Sequence, residues 1–399
     1  MSPGTSHEIY LDNNATTQPL PEVREAMVEV LGEGFGNPSS AHAAGDRARD
    51  SIRYAREAVA ALIGTDPSMI VFTSGGTEAN NLVFASVLQG HGARPRIVTT
   101  TVEHSSIPQY CEYLGELGVE VITLPVDRAG RLSLPDVEAA VTPETSLVSV
   151  QWVNNETGVM QPIAQIGALC RERSIPFHTD AAQAVGKLHV NISALPIDFL
   201  SLTAHKFHGP QGVGALYARH RRWLTPMFRG GSQEEGTRAG TENVPGIVGM
   251  GKAAALRLAR LDDIQPYLHG LRDRFEQLVL DTVQGTEVNG DRTQRVCNTT
   301  NLLFRDIDGE ALMAQLDRMG IRCSQSSACT NMRPEPSAVL RAMGLSEDEA
   351  YASVRFGVSE QNTIDEIEWA ATKIREICTK LRAFRTTIQN GENLWVEST

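Results

Sequence analysis

Seven short apolar runs recur across the first half of the chain: Met69–Phe72, Arg96–Thr99, Val119–Leu124, Leu147–Val150, Ile175–His178, Ile197–Leu202 and Val213–Tyr217. Each is followed by a polar turn or a helix-length segment. Strand-length apolar runs that alternate with helical segments predict a largely parallel sheet with helices on both faces, because both sides of such a sheet must be apolar. In these sheets ligands bind beyond the carboxyl ends of the strands. The polar residues that follow each run are therefore the ones in which chemistry is to be sought.

Around this centre the pattern differs. Ile9-Tyr10-Leu11 reads as a short strand, and Pro21 opens a helix whose apolar face is Val23, Met27, Val30 and Leu31. Ala43 to Ile63 reads as a helix ended by Gly64. From about Ala253, one helix through Arg257, Leu261 and Ile264 leads to another at Tyr267–Leu280, then to strands at Thr299–Phe304 and Ile321–Cys323. An amphipathic helix carrying Ile364, Ile367, Ala371, Ile374, Ile377 and Leu381 follows. The expected fold class is α/β, with a large domain over 15–255 built on a mainly parallel seven-stranded sheet. A smaller α+β domain is expected from 1–14 and 256–385, and a polar, poorly ordered tail from 386–399.

The 399 residues suffice for two domains and a large core, and a net charge of -12 opposes partners that are themselves polyanions. No membrane and no direct nucleic-acid contact are expected. No basic segment followed by an apolar core stands at the start, and no apolar run has the length of a span. The six cysteines lack CxxC spacing, which fits a reduced, cytoplasmic protein better than a disulfide framework or zinc site.

Five strand ends carry candidate chemistry. Thr73-Ser74-Gly75-Gly76-Thr77 runs into an apolar helix, an arrangement that either cradles a phosphate at a helix N-terminus or is an ordinary turn. His104 could stack on a flat cofactor and move protons, or be a structural histidine. Asn155 could bond a ring hydroxyl or a substrate carboxylate, or belong to a turn. Asp180 could pair with a protonated pyridine nitrogen or cap a helix, and Gln183 lies one helical turn further on. Finally, Thr203-Ala204-His205-Lys206 ends an apolar run before Gly209-Pro210. A lysine where a buried strand opens into a turn can be desolvated enough to attack a carbonyl and form a Schiff base. A phosphate, a pyridinium, a ring hydroxyl and an aldehyde are together the groups of pyridoxal phosphate.

Cys329 lies in Ser324-Gln325-Ser326-Ser327-Ala328-Cys329-Thr330, a small, polar segment that reads as a mobile loop over about 322–334 presenting a reactive thiol. Cys323 is expected to point into the core.

Over nearly its full length the chain resembles the NifS/IscS-type cysteine desulfurases of the class V aminotransferase group. The resemblance rests on Tyr10–Thr17, Phe35–Ser40, Thr73–Asn81, Asn154–Gly158, His178–Gly186, His205–Gly214, Arg238–Asn243 and Ser327–Thr330. It implies a homodimeric fold type I enzyme in which Lys206 holds pyridoxal 5'-phosphate. It implies that Gly76, Thr77, Thr203 and His205 hold the phosphate, with Thr241 reaching in from the other subunit. Asp180 would face the pyridine nitrogen, Gln183 the ring oxygen, and His104 would stack on the ring. Asn155 would contact cofactor and substrate, while Asn13 and Arg355 would bind the substrate, Arg355 through its carboxylate. L-cysteine would yield L-alanine and a persulfide on Cys329, passed to a sulfur-acceptor protein, an iron–sulfur scaffold or a thiolation enzyme. No resident metal is implied, and a transient iron–sulfur contact at Cys329 stays open. A selenocysteine lyase or another class V aminotransferase-like enzyme is the alternative. A non-catalytic scaffold is disfavoured because it needs neither Lys206, Asp180 nor Cys329. Where the family commonly has glycine in the cysteine loop, this chain has Ser326, which removes backbone freedom.

Overall fold

The computed structural model describes residues 8–90, 95–325 and 336–389. They divide into two compact units: Ala15–Asn155 with Val159–Gln265, and the described parts of 1–14, 156–158 and 266–399.

After a first strand, β1 (Ile9–Tyr10), seven strands follow in the first unit: β2 (Ile70–Thr73), β3 (Arg96–Thr100), β4 (Glu120–Leu124), β5 (Thr145–Ser149), β6 (Phe177–Asp180), β7 (Phe199–Thr203) and β8 (Gly214–Ala218). They form one sheet in the order β2-β8-β7-β6-β5-β3-β4. Only β8 runs against its neighbours, and the remaining pairings are parallel. The mixed α/β class with a large, mostly parallel seven-stranded sheet is thus as expected. Every apolar run became a strand, shifted by one or two residues where polar side chains such as Asp180 continue it.

The helices follow from local signals. Helix α1 (Pro21–Gly32) has proline in its first turn, and α2 (Ala43–Ile63) stops at Gly64, whose φ of 67° lets its N–H return to the last turn. Leu31 departs from the expected apolar face: it is 64% exposed, whereas Val23 and Val30 are buried. Its position one residue after Val30 turns it off the packed stripe. Helix α3 (Gly76–Gly90) buries Ala79, Leu82, Val83, Phe84 and Val87 against Val71, Ile97, Leu147, Phe199 and Leu216 from the sheet. Burial of each large apolar side chain contributes about 1.5–3 kcal/mol, which fixes the start of α3 beside the end of β2.

In the second unit β1 pairs in parallel with β11 (Ile321–Arg322). An antiparallel sheet has the order β12-β10-β9, from β9 (Thr286–Val288), β10 (Thr299–Phe304) and β12 (Ser353–Gly357). The stretch 156–158 belongs to this unit, through Val296 N–H to Gly158 O at 2.9 Å and Asn301 Nδ2 to Glu156 O at 3.3 Å. The two helices expected around residue 266 are one, Val244–Thr282, with Pro266 inside it. A proline costs one intrahelical bond, but Leu261, Ile264, Leu268 and Leu271 are buried on either side and the helix continues. The compact units divide in sequence at Gln265/Pro266, within this helix; the expected boundary was 255/256. The final helix extends over Ile364–Gln389, so the expected tail is helical for its first four residues. Ile367, Ala371, Ile374 and Ile377 are buried along one stripe, whereas Ile364 is 45% exposed in the first turn. Among the described residues no helix is long and apolar enough to cross a membrane.

Candidate active site

The carboxyl rim of the first unit's sheet is assembled by register. Gly214, the first residue of β8, stands opposite Thr73 on β2 and opposite Thr203 on β7. Because β8 is antiparallel to both, the ends of β2 and β7 reach the same rim. A side chain at Gly214 would be forced to 2.7 Å from Gly75, so glycine lets the two turns close together.

These turns enclose a cavity of about 380 Å³ lined by Ala15, Thr16, Gly76, Thr77, Thr203 and His205, among others. Gly75 and Gly76 differ from Gly214. A Cβ on either would meet nothing closer than 3.8 Å, and neither has a positive φ. Neither packing nor backbone conformation demands glycine there. Glycine there leaves the backbone open to close approach from outside the chain. The first N–H groups of α3 have no partner within the helix, and with Thr77 they line this cavity, an arrangement that suits an anion. Glu78 does not oppose an anion as a bare charge. Burial pushes its carboxyl up, but bonds from Arg238 (Nε to Oε1, 2.9 Å) and Ser74 N–H (2.7 Å) outweigh that and leave it below the usual range.

Lys206 ends the single-turn 3₁₀ helix Ala204–Lys206 directly after β7. It is half-buried, and its Nζ donates to Ala15 O at 2.6 Å. Thr203 is buried, and its hydroxyl donates to Val213 O at 3.2 Å. His205 lies 3.2 Å from Thr16 Oγ1 through Nδ1. Burial, then the charges of Lys206, Lys187 and His104, push its pKa down to about 4, so it is neutral in ordinary buffers.

Further along the rim, Asp180 closes β6 and is 7% exposed. Its Oδ1 accepts from Ala182 N–H at 2.9 Å, the turn-capping role, while Oδ2 accepts from Asn80 Nδ2 at 2.8 Å. Gln183 is buried one turn on, with Oε1 accepting from the Lys187 ammonium. His104 is exposed in the turn after β3, its Nδ1 bonded to Ser106. Asn155, half-buried, follows β5 as the last residue of its segment in this unit. Thus Gly76, Thr77, His104, Asn155, Asp180, Gln183, Thr203, His205 and Lys206 all lie at strand ends of one unit. Thr241 lies in the same unit and is exposed.

Four residues were missed from sequence. Asn80 and Ser106 link Asp180 to His104, and buried Lys187 fixes the orientation of Gln183. Glu103 is buried where Thr100 Oγ1 (2.7 Å) and Gln151 N–H (3.0 Å) meet its carboxyl group, and burial pushes its pKa up to about 8. It ties the turn after β3 to the turn after β5. A carboxylate next to the candidate histidine was the available signal.

The remaining candidates belong to the second unit. Asn13 is buried, and its Nδ2 donates to Tyr10 O (3.1 Å) and Gly357 O (2.9 Å). Arg355, on β12, is 6% exposed, and its Nη2 donates to Asp12 Oδ1 at 2.7 Å. Cys323, expected in the core, is only half-buried; desolvation first and then Asp12 push its thiol up to about 12, which makes it a poor nucleophile. Cys329 lies outside the described residues.

Open backbone at a helix start, a lysine at the adjoining turn, a carboxylate ending β6 and an imidazole after β3, two strands along the same sheet, fit a phosphorylated aromatic aldehyde. The class V aminotransferase family model matches residues 9–369, and the chain belongs to that family. Within it, the chain is 45% identical over 390 residues to a cysteine desulfurase of Trichormus azollae, covering 98% of this chain and 97% of that one. A solved NifS-like protein superposes with a TM-score of 0.88 at 34% identity, covering 94% of this chain and all of its own. A structure described as SspA in complex with cysteine gives a TM-score of 0.78 at 34% identity, with 89% and 100% coverage. The chain is accordingly a cysteine desulfurase of the NifS type, a group that uses pyridoxal phosphate.

Proposed function

We propose that the chain removes sulfur from L-cysteine with pyridoxal 5'-phosphate bound along the carboxyl rim of the first unit's sheet. The observation that carries this is the space left at Gly75 and Gly76 at the start of α3, beside the turn that bears Lys206. Gly76, Thr77, Thr203 and His205 hold the phosphate, joined by Thr241 of the partner subunit. Lys206 makes the covalent link. Asp180 faces the ring nitrogen, Gln183 the ring oxygen, and His104 covers the ring. When bound, the cofactor supplies an electron sink for the charge left as the substrate carbon gives up its proton.

The chain's own groups do the rest. Lys206 Nζ would be the amine that holds that proton. Asn155, Asn13 and Arg355 bind the amino acid, with Arg355 on the carboxylate. Cys329 as a thiolate takes the sulfur as a persulfide, and the three-carbon remainder leaves as L-alanine. An iron–sulfur scaffold or a thiolation enzyme then accepts the sulfur, in the cytoplasm. A homodimer is supported by the large apolar residues left uncovered in this unit: Val28, Leu31, Phe35 and Tyr54 are each at least 61% exposed.

The test is alanine release from L-cysteine by the wild type and by Cys329→Ala, with the cofactor absorbance recorded in both. The expected result is alanine and sulfide from the wild type, and from the variant a spectral response to cysteine without either product. If the variant makes alanine as fast as the wild type, Cys329 is not the sulfur acceptor and a lyase reaction is the better account.

A further inference from the structure

We propose that Asn80 and Ser106 are positioning residues that tie His104 to Asp180 and hold the imidazole in its Nε2–H tautomer. This rests on the reading of His104 and Asp180 as cofactor-facing residues. Asn80, on α3, is 1% exposed, and Ser106 is 8% exposed. The Asn80 Nδ2 donates to Asp180 Oδ2 at 2.8 Å and to Ser106 Oγ at 3.0 Å. Ser106 Oγ lies 2.9 Å from His104 Nδ1, and the Ser106 backbone N–H donates to that same nitrogen at 3.2 Å.

The direction of each bond follows from what each atom can do. An ionised carboxylate only accepts, so Asp180 turns the NH₂ of Asn80 toward itself. The second hydrogen of that NH₂ goes to Ser106 Oγ. The serine hydroxyl, having accepted there, has its own hydrogen left to donate, and Nδ1 lies within reach. The backbone N–H of Ser106 can only donate as well, so two donors converge on Nδ1. That nitrogen carries no proton in the neutral ring, and Nε2 does. The Asn80 Oδ1 is buried without a partner among the described residues, so nothing else in the described chain sets the orientation of this amide.

The consequence is directional. With Nδ1 occupied as an acceptor, the His104 ring presents a hydrogen-bond donor at Nε2 and no acceptor there. Asp180 gains a second role, since its charge sets the orientation of Asn80 and, through Ser106, the tautomer of a residue on another strand end.

The experiment is ¹⁵N NMR of full-length, histidine-labelled protein, with and without added pyridoxal phosphate, the His104 signals being assigned with His104→Gln. The wild type is expected to show an imine-type Nδ1 and a pyrrole-type Nε2. Ser106→Ala lowers the ratio of Nε2–H to Nδ1–H tautomer about fivefold, the equivalent of one neutral hydrogen bond, and Ser106→Thr restores it. Asp180→Asn lowers the ratio in the wild-type background and has no further effect in Asn80→Ala. A protonated Nδ1 in the wild type overturns the proposal, whether or not the variants fold. So does an unchanged ratio in Ser106→Ala, or an equal effect of Asp180→Asn in both backgrounds. The readout needs neither cofactor nor turnover, so its failure is separate from any failure to make alanine.

Discussion

The two units use buried polar residues in opposite ways. In the second, Glu276 receives Arg295 at 2.6 and 2.9 Å and the Thr300 hydroxyl at 2.7 Å, and Asn289 donates to Asn301 (2.8 Å) and Ser353 (2.9 Å). These side chains face one another, and what they hold together is the unit itself. Along the rim of the first unit, Lys206 is half-buried, His104 and Thr77 are exposed, and Gly75 and Gly76 leave room that no side chain uses. The lesson is that the Glu276–Arg295 pair, closed on its own neighbours, serves the unit that contains it, whereas donors around unused space suit a ligand.

That contrast can be broken in four ways. Lys206→Ala should lower alanine release by about 10³-fold or more and abolish cofactor retention through gel filtration, with little change in the urea midpoint. Arg295→Ala should do the reverse, costing about 3 kcal/mol of stability in urea unfolding because Glu276 keeps only Thr300 and the exposed Arg292, with unchanged cofactor affinity in the fraction that stays folded.

The two buried glutamates should respond to pH with opposite sign. Folded Glu103 keeps its proton up to about 8, whereas the exposed group loses it near 4.5. The folded chain therefore binds the extra proton in that window, and raising the pH across it removes stability. Glu276 is opposed by burial but held below the usual range by Arg295 and Thr300, so its contribution is present above the unfolded pKa and lost on acidification through the folded one. Thermal unfolding against pH should show the alkaline loss flattened in Glu103→Gln and the acid loss unaffected. Smallest in effect, Gly76→Ala should weaken cofactor binding about tenfold, within the range of helix-terminus interactions, at an unchanged melting temperature. An affinity equal to wild type would mean that no group approaches that backbone.

Much of the rim was legible in the sequence because it is local. An apolar run followed by Asp180, or by His205-Lys206, names both a strand end and a reactive group within a few residues. What stayed hidden depends on distance. Asn80, Ser106 and Asp180 meet only because α3 packs on the sheet between strand ends far apart in the chain, and nothing near Asn80 announces it. Strand β12 was missed because Ser353 and Arg355 interrupt its apolar pattern, although every residue in it is buried. Pro266 looked like a boundary because the cost of a proline is local while the burial that offsets it is not.

The antiparallel strand β8 has a consequence for how the molecule is made. The lysine-bearing turn closes between neighbours in sequence, Thr203 and Gly214, whereas the anion cradle requires Thr73 to find that same Gly214. Loop-closure entropy and contact order make the first pairing fast and the second slow. On this ground the Lys206 turn is expected to form before β2 docks beside it, and cofactor capture, if it uses both turns as proposed above, to follow β2. During refolding, the growth of cofactor absorbance is therefore a clock for completion of the sheet.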